Sequence, residues 1–191
     1  MIDPKRQTNR LTLRPWQLND AQRLFEIVQQ AAGTTHYMPL PTLRNAIEAR
    51  NYIISHLSNR TQFAVANRDT DELVGGGIVA LRPDSEEIPT ENSDAFLDFW
   101  IAPDQQHQGL GDEVVEAVLE ASFVDLRVRS LWCRAIAANY AAHNILMEHG
   151  FLPAEQYSRS FDSNEQTATD ILYLTAANWA ERWGIVLTPK E

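Results

Sequence analysis

Gln106-His107-Gln108-Gly109-Leu110-Gly111 is the stretch of this sequence whose residue types and spacing speak most directly of chemistry. Gly109 and Gly111 carry no Cβ, so the backbone can approach a ligand and adopt positive φ there. If a helix follows, its first amides lack partners within it, and its dipole adds partial positive charge. Together these features favour a phosphate or diphosphate. Two familiar phosphate loops do not fit. A Walker loop needs Lys and then Ser or Thr after its last glycine, but Asp112-Glu113 follows Gly111. A dinucleotide fingerprint needs a small residue three positions beyond its second glycine, and Val114 stands there. On spacing alone, a tight turn that binds nothing stays open as an alternative.

Other chemically capable residues carry less. The five histidines, including His143 and His149, show no HExxH spacing, so no metal is expected. The single cysteine, Cys133, lies in an apolar, strand-like segment and reads as core, not nucleophile. It also excludes an internal disulfide framework and fits a reducing cytoplasm.

Periodicity indicates which elements hold the turn. Residues 10–14 alternate polar and apolar as a half-buried strand does, and Pro15 limits them. Asn19 with Gln22 predicts a capping box and a helix from about Asp20 that buries Ala21, Leu24, Phe25 and Val28. After a break at Gly33, a second helix is predicted over residues 43–57, with Ile47, Ile54 and Leu57 among its apolar positions. Residues 62–66 and 73–81 predict a hairpin across 69–72, its three glycines marking a bulge or a close backbone approach. Residues 82–94 are turn-rich and acidic. An aromatic strand over 95–101 stops at Pro103 and leads into the glycine turn.

Helical spacing follows over 112–123, then a strand over 131–136. A helix over 139–149 ends at Gly150. Strands are predicted around 152–160 and 169–174, then a last helix capped by Thr175 and carrying Trp179 and Trp183. The expectation is one mixed α/β domain over residues 1–191.

Bulk composition narrows the class. Forty-four per cent hydrophobic and 22% charged residues describe an ordinary globular chain. No apolar run approaches the roughly 20 residues that span a bilayer, and the first residues lack the apolar core of a signal peptide. No membrane association and a cytoplasmic location are therefore expected. A formal net charge of -10 argues against nucleic acid, which needs a basic surface. It suits a cationic partner such as an amine or basic peptide, or serves solubility alone.

The order of these pieces resembles the GNAT superfamily of N-acetyltransferases. That family's acetyl-CoA turn reads Gln or Arg, two residues, Gly, one residue, then Gly or Ala, as residues 106–111 do here after the strand ending Trp100-Ile101-Ala102-Pro103. Residues 139–151, from Asn139 to Gly150-Phe151, are similar to its Asn-containing helix closed by Gly-Phe. Thr8-Asn9-Arg10-Leu11-Thr12-Leu13-Arg14-Pro15 and Asp170-Ile171-Leu172-Tyr173-Leu174 with Trp179 resemble the opening and ending of the Rim-type branch, which acetylates ribosomal-protein N-termini.

The resemblance implies a central mixed, mostly antiparallel sheet flanked by helices, with a splayed parallel pair formed by strands 95–101 and 131–136. It implies acetyl-CoA as donor, with the diphosphate at Gln106, His107, Gln108, Gly109, Leu110 and Gly111. The pantetheine arm would meet the backbone at Trp100, Ile101 and Ala102, with Asn139 and Ala142 on the second strand's helix. Asn139 is equally suited to capping that helix. Tyr37 and Met38 would line the acceptor site, or form a packed loop.

Transfer needs a neutral amine and a donor to the developing oxyanion; a backbone N–H near Ile101 is placed for the latter. Asp98, inside the strand that would carry the thioester, is the candidate base, or else a solvated or ion-paired carboxylate. Glu91 and Asp94 are alternatives acting through water. Leu146 stands where many members have a tyrosine acid, and Ala142 where the Rim-type branch often has serine. The expected acceptor is a protein N-terminal amine. The alternatives are a polyamine or aminoglycoside, or a CoA-binding module without catalysis. A homodimer stays open.

Overall fold

The computed structural model describes residues 5–32, 40–57, 61–81, 94–136, 138–154 and 169–187. Tyr37, Met38 and Glu91 lie outside the described residues. The strands are β1 (Arg6–Gln7), β2 (Leu11–Arg14), β3 (Gln62–Asn67), β4 (Leu73–Leu81), β5 (Asp94–Ile101), β6 (Ser130–Ile136), β7 (Leu152–Pro153) and β8 (Thr169–Thr175). Their hydrogen-bonded order is β1-β2-β3-β4-β5-β6-β8-β7. Strands β5 and β6 run parallel, while β1–β2, β2–β3, β3–β4, β6–β8 and β7–β8 are antiparallel. The mixed α/β sheet with one parallel pair thus appears as expected. The helices are α1 (Asp20–Ala31), α2 (Ala46–His56), α3 (Leu110–Glu120), α4 (Tyr140–Glu148) and α5 (Ala176–Trp183).

Two compact units divide the chain. The first comprises Met1–Val79 and Asp98–Ala117. Its strand β2 is buried at all four residues, not half-buried, because Thr12 and Arg14 also lie inside. Buried charge must be paired, and Arg14 is: Nη1 and Nη2 donate to the Asp20 carboxylate at 2.8 Å each, and Nε donates to Asp71 at 2.8 Å.

That pairing changes how α1 begins. Asn19 precedes the helix but makes no side-chain capping bond; Asp20 instead accepts from the Gln17 amide at 2.8 Å. The buried stripe is Ala21, Leu24, Ile27, Val28 and Ala31, with Phe25 partly buried. Helix α2 starts at Ala46, later than expected, because Asn45 caps it by accepting from the Glu48 amide at 2.9 Å. It buries Ala49 and Ile53, while Ile47, Ile54 and Leu57 are exposed.

The glycines of β4 mark close approach. A Cβ on Gly75 would lie 2.5 Å from the Trp100 carbonyl oxygen, and one on Gly77 would lie 2.5 Å from that of Asp98. The register skips Val74 between Val65↔Gly75 and Ala66↔Leu73, so a bulge is present as well.

The second unit comprises Ala80–Leu97 and Val118–Glu191. Asp94 belongs to β5, not to the acidic loop, and is buried; it accepts from the Ser130 hydroxyl at 2.6 Å. The parallel ladder runs from Asp94↔Ser130 to Leu97↔Cys133 and ends there, while β6 continues to Ile136 paired with β8. Helix α3 gives way to a π-helical turn at Ala121–Asp125, which places Phe123 5.3 Å from the ring of Trp179. Cys133 is buried in β6 as core. The strand expected around 152–160 appears as the short β7, with 155–160 outside the described residues. Thr175 caps α5 as expected, accepting from the Asn178 amide at 3.1 Å; Trp179 is buried and Trp183 half exposed.

Candidate active site

In the first unit, β5 ends at Ile101, and a 3-10 turn at Pro103–Gln105 carries the chain into the glycine turn. Arg23 of α1 clamps this connection, donating through Nη2 to both oxygens of Asp104 at 2.9 and 2.7 Å. Helix α3 starts at Leu110, two residues earlier than its spacing indicated, so the glycine turn abuts the helix N-terminus directly. His107 and Gly109 both adopt positive φ, +60° and +71°. For His107 this is an uncommon conformation, and at Gly109 the missing Cβ removes its cost. Gln106, His107, Gln108 and Gly109 are exposed, Gly111 is partly so, and Leu110 is buried beneath them.

Two features join the turn to the strand end. Gln106 Nε2 donates to the Ile101 carbonyl at 3.0 Å. Ala102 donates its N–H to Val74 of β4 at 2.9 Å, and its carbonyl accepts from the Gln105 amide at 2.8 Å. Backbone groups of successive strand residues point to opposite edges. Since the Ala102 N–H faces β4, the Ile101 N–H points to the other edge.

The turn itself contains no Lys or Arg, and Asp112 and Glu113 occupy the first turn of α3. Sequence reasoning missed the residue that compensates. Arg10, 98 positions upstream of Gln108, donates through Nη1 to the Gln108 carbonyl at 2.8 Å and through Nε to Glu113. The hydroxyl of Thr8 donates to Glu113 at 2.6 Å, and the Arg10 amide at 3.1 Å. Burial pushes the Glu113 carboxyl up, but these hydrogen bonds and the guanidinium charge outweigh it and hold it below the usual carboxylate range. The only signal in the sequence was the absence of a cation in the turn, which does not say where one comes from.

Asp98 is partly buried in the middle of β5 and engaged in an interaction. Trp100, two residues on, is buried and stacks on Trp16 at 6.5 Å; Tyr52 of α2 meets Trp16 edge-on at 6.4 Å. Burial raises the Tyr52 phenol above its ordinary pKa.

In the second unit, Asn139 caps α4: its Oδ1 accepts from the Ala142 amide at 3.2 Å. That bond leaves the side-chain Nδ2 without a partner among the described residues. Leu146 is fully buried, whereas Tyr140 is 75% exposed, so neither presents a side-chain acid in that unit's core. Gly150 takes φ +92° and ends the helix. Among the described residues no cluster of three or more His, Cys, Asp or Glu gathers that could hold a metal. No helix of the described residues is long and apolar enough to cross a membrane.

A strand end tied to an exposed glycine turn at a helix N-terminus, in a mixed sheet with a parallel β5–β6 pair, is an arrangement in which unpaired backbone amides can receive an anion. The sequence matches the acetyltransferase (GNAT) domain family over residues 10–152, and the chain belongs to that family. It is an N-acetyltransferase, and its acetyl donor is acetyl-CoA.

No curated protein matches the sequence. Among solved structures, it is similar to a Vibrio cholerae protein described as a ribosomal-protein-serine acetyltransferase, at TM-score 0.70 and 22% identity, covering 91% of this chain and 98% of that one. A GNAT-family acetyltransferase from Bacillus anthracis is similar at TM-score 0.71 and 15% identity, covering 91% and 99%. So is the spermidine N-acetyltransferase of Vibrio cholerae in complex with CoA and spermine, at TM-score 0.69 and 18% identity, covering 90% and 99%.

The residues fit the diphosphate of CoA. The Gly109 surface is open, with only Arg10 Nη2 among the described residues within reach of a Cβ at 3.6 Å, and the Glu113 carboxylate in the first turn of α3 is paired with Arg10.

Proposed function

We propose that this chain, as one domain over residues 1–191, acetylates the N-terminal amine of a protein, in the manner of the Rim-type branch. The observation that carries the cofactor half of this reading is the Gln106–Ile101 hydrogen bond, which couples the diphosphate turn to the strand end where the thioester would lie. The turn 106–111 and the N-terminal amides of α3 hold the diphosphate. The backbone of Trp100–Ala102 orients the pantetheine arm, and the Ile101 N–H, aimed away from β4, donates to the developing oxyanion.

Asp98 accepts a proton from the amine, directly or through water. An α-amine, with a pKa of about 8, is partly neutral near pH 7, unlike a lysine-like amine at about 10.4. It therefore asks little of a base. Leu146 stands where many members have a tyrosine acid, and in this reading the departing thiolate takes its proton from water. A thiolate is a much weaker base than an alkoxide, which makes it a tolerable leaving group. Support for a protein acceptor comes from the Thr8–Pro15 opening and the Asp170–Leu174 ending.

A polyamine is the second reading, favoured by the net charge of -10. Incubation with labelled acetyl-CoA, peptides bearing free or blocked N-termini, and a panel of polyamines and aminoglycosides tests the choice. Label on free N-termini alone is the expected result. Label on small amines with silent peptides would overturn it.

A further inference from the structure

We propose that Arg10 is a positioning residue for cofactor recognition: it supplies the positive charge that the glycine turn lacks and fixes the turn for a diphosphate. The proposal rests on the reading of that turn given above. An ionised Glu113 in the first turn of α3 favours the helix, yet it repels any anion arriving at the same end. The cation that offsets it comes from outside the turn and outside α3.

Three features give Arg10 this role. Its Nε and backbone N–H both donate to Glu113, so the carboxylate is matched by a charge held in a fixed geometry. Its Nη1 draws the Gln108 carbonyl toward the guanidinium, between the two positive-φ residues His107 and Gly109, so the carbonyl dipole is turned toward a cation. Its Nη2 has no partner among the described residues and lies 3.6 Å from where a Gly109 Cβ would stand, facing the open ground of the turn.

The backbone that carries the guanidinium is itself fixed. The Arg10 carbonyl accepts from the Arg68 amide at 2.8 Å, and Arg68 Nη1 donates to the Thr8 carbonyl at 3.0 Å. A residue held at both ends pays little entropy when a ligand arrives.

Calorimetric titration of the full chain with CoA and with pantetheine, which lacks the diphosphate and nucleotide, tests the assignment. The wild type should prefer CoA strongly. Arg10→Met should weaken CoA binding by roughly tenfold or more, as expected for a charge-assisted contact, and leave pantetheine binding within about twofold. Arg10→Met combined with Glu113→Gln should regain part of the loss, because the uncompensated carboxylate is gone. Arg10→Gln, which keeps a donor and the side chain's bulk, provides the same comparison if the Met variant folds poorly.

Undiminished CoA affinity in the Arg10 variants would overturn the proposal. Equal losses for CoA and pantetheine would also overturn it, by assigning Arg10 to fold stability. A wild type with no preference for CoA over pantetheine would instead refute the turn reading itself, and this proposal with it.

Discussion

Gln106 Nε2 donates to the carbonyl oxygen of Ile101 at 3.0 Å, so the first side chain of the glycine turn grips the last residue of β5. With the diphosphate at the turn and the thioester at the strand end, as proposed, this bond would set the spacing between the two. A misplacement of about an ångström at a reacting centre can cost a hundredfold in rate.

Gln106→Ala should therefore lower kcat/KM for acetyl-CoA by about fivefold, the worth of one net hydrogen bond of about 1 kcal/mol. Initial rates over a range of acetyl-CoA concentrations measure it. An unchanged value would mean that the turn keeps its place without the bond.

Gly77→Ala should destabilise the fold. Its Cβ would lie 2.5 Å from both the Asp98 carbonyl oxygen and Phe63 Cζ, so β4 or the Phe63 ring must shift. Overpacking of this kind costs about 1–3 kcal/mol, which lowers Tm by several degrees in a chain of this length. Thermal unfolding followed by circular dichroism reads it directly, and an unaltered Tm would show that the strands separate freely.

Stability should depend on pH through Glu113. Its carboxyl is held below the usual range because the bonds from Thr8 and Arg10 outweigh its burial. A carboxyl whose folded pKa is depressed contributes stability above its unfolded value of about 4.3 and loses it as pH falls through the folded value. The Tm difference between wild type and Glu113→Gln should be full at neutral pH and close progressively on acidification below about pH 4. A difference that persists unchanged at pH 3 would contradict the charged clamp.

Asp98→Asn should reduce kcat by about a hundredfold or more if the carboxylate accepts the amine's proton, with acetyl-CoA binding preserved. The pH–rate profile should lose its acidic limb in the variant. A profile of unchanged shape would make Asp98 a structural carboxylate and leave proton acceptance to water.

Much of the architecture was legible because it is local. Thr175 caps α5, Asn139 caps α4 and Gly150 closes it: each is a short-range backbone preference written in one or two residues. The crowded glycines of β4 were visible as a close approach, although not what they approach. Errors arose where a distant partner overrode a local pattern. Asn19 does not cap α1 because Asp20 is held by Arg14, and Asp94 leaves its acidic loop for β5, where the Ser130 hydroxyl binds it. The apolar spacing of α2 likewise pointed to Ile47 and Ile54, which are exposed, because Ala49 and Ile53 are what fit against α1.

By itself the sequence determined the glycine turn, its position between a strand and a helix, and the family to which that order belongs. These follow from residue types lacking a Cβ, capping side chains and hydrophobic periods, all of which act within a few residues. Only the tertiary structure decided how the turn is charged and held. Arg10 stands 98 positions from Gln108, and no local rule links them. Tertiary packing brings them together, and the contact holds because the guanidinium has several donors fixed at once, to the Gln108 carbonyl and to the Glu113 carboxylate.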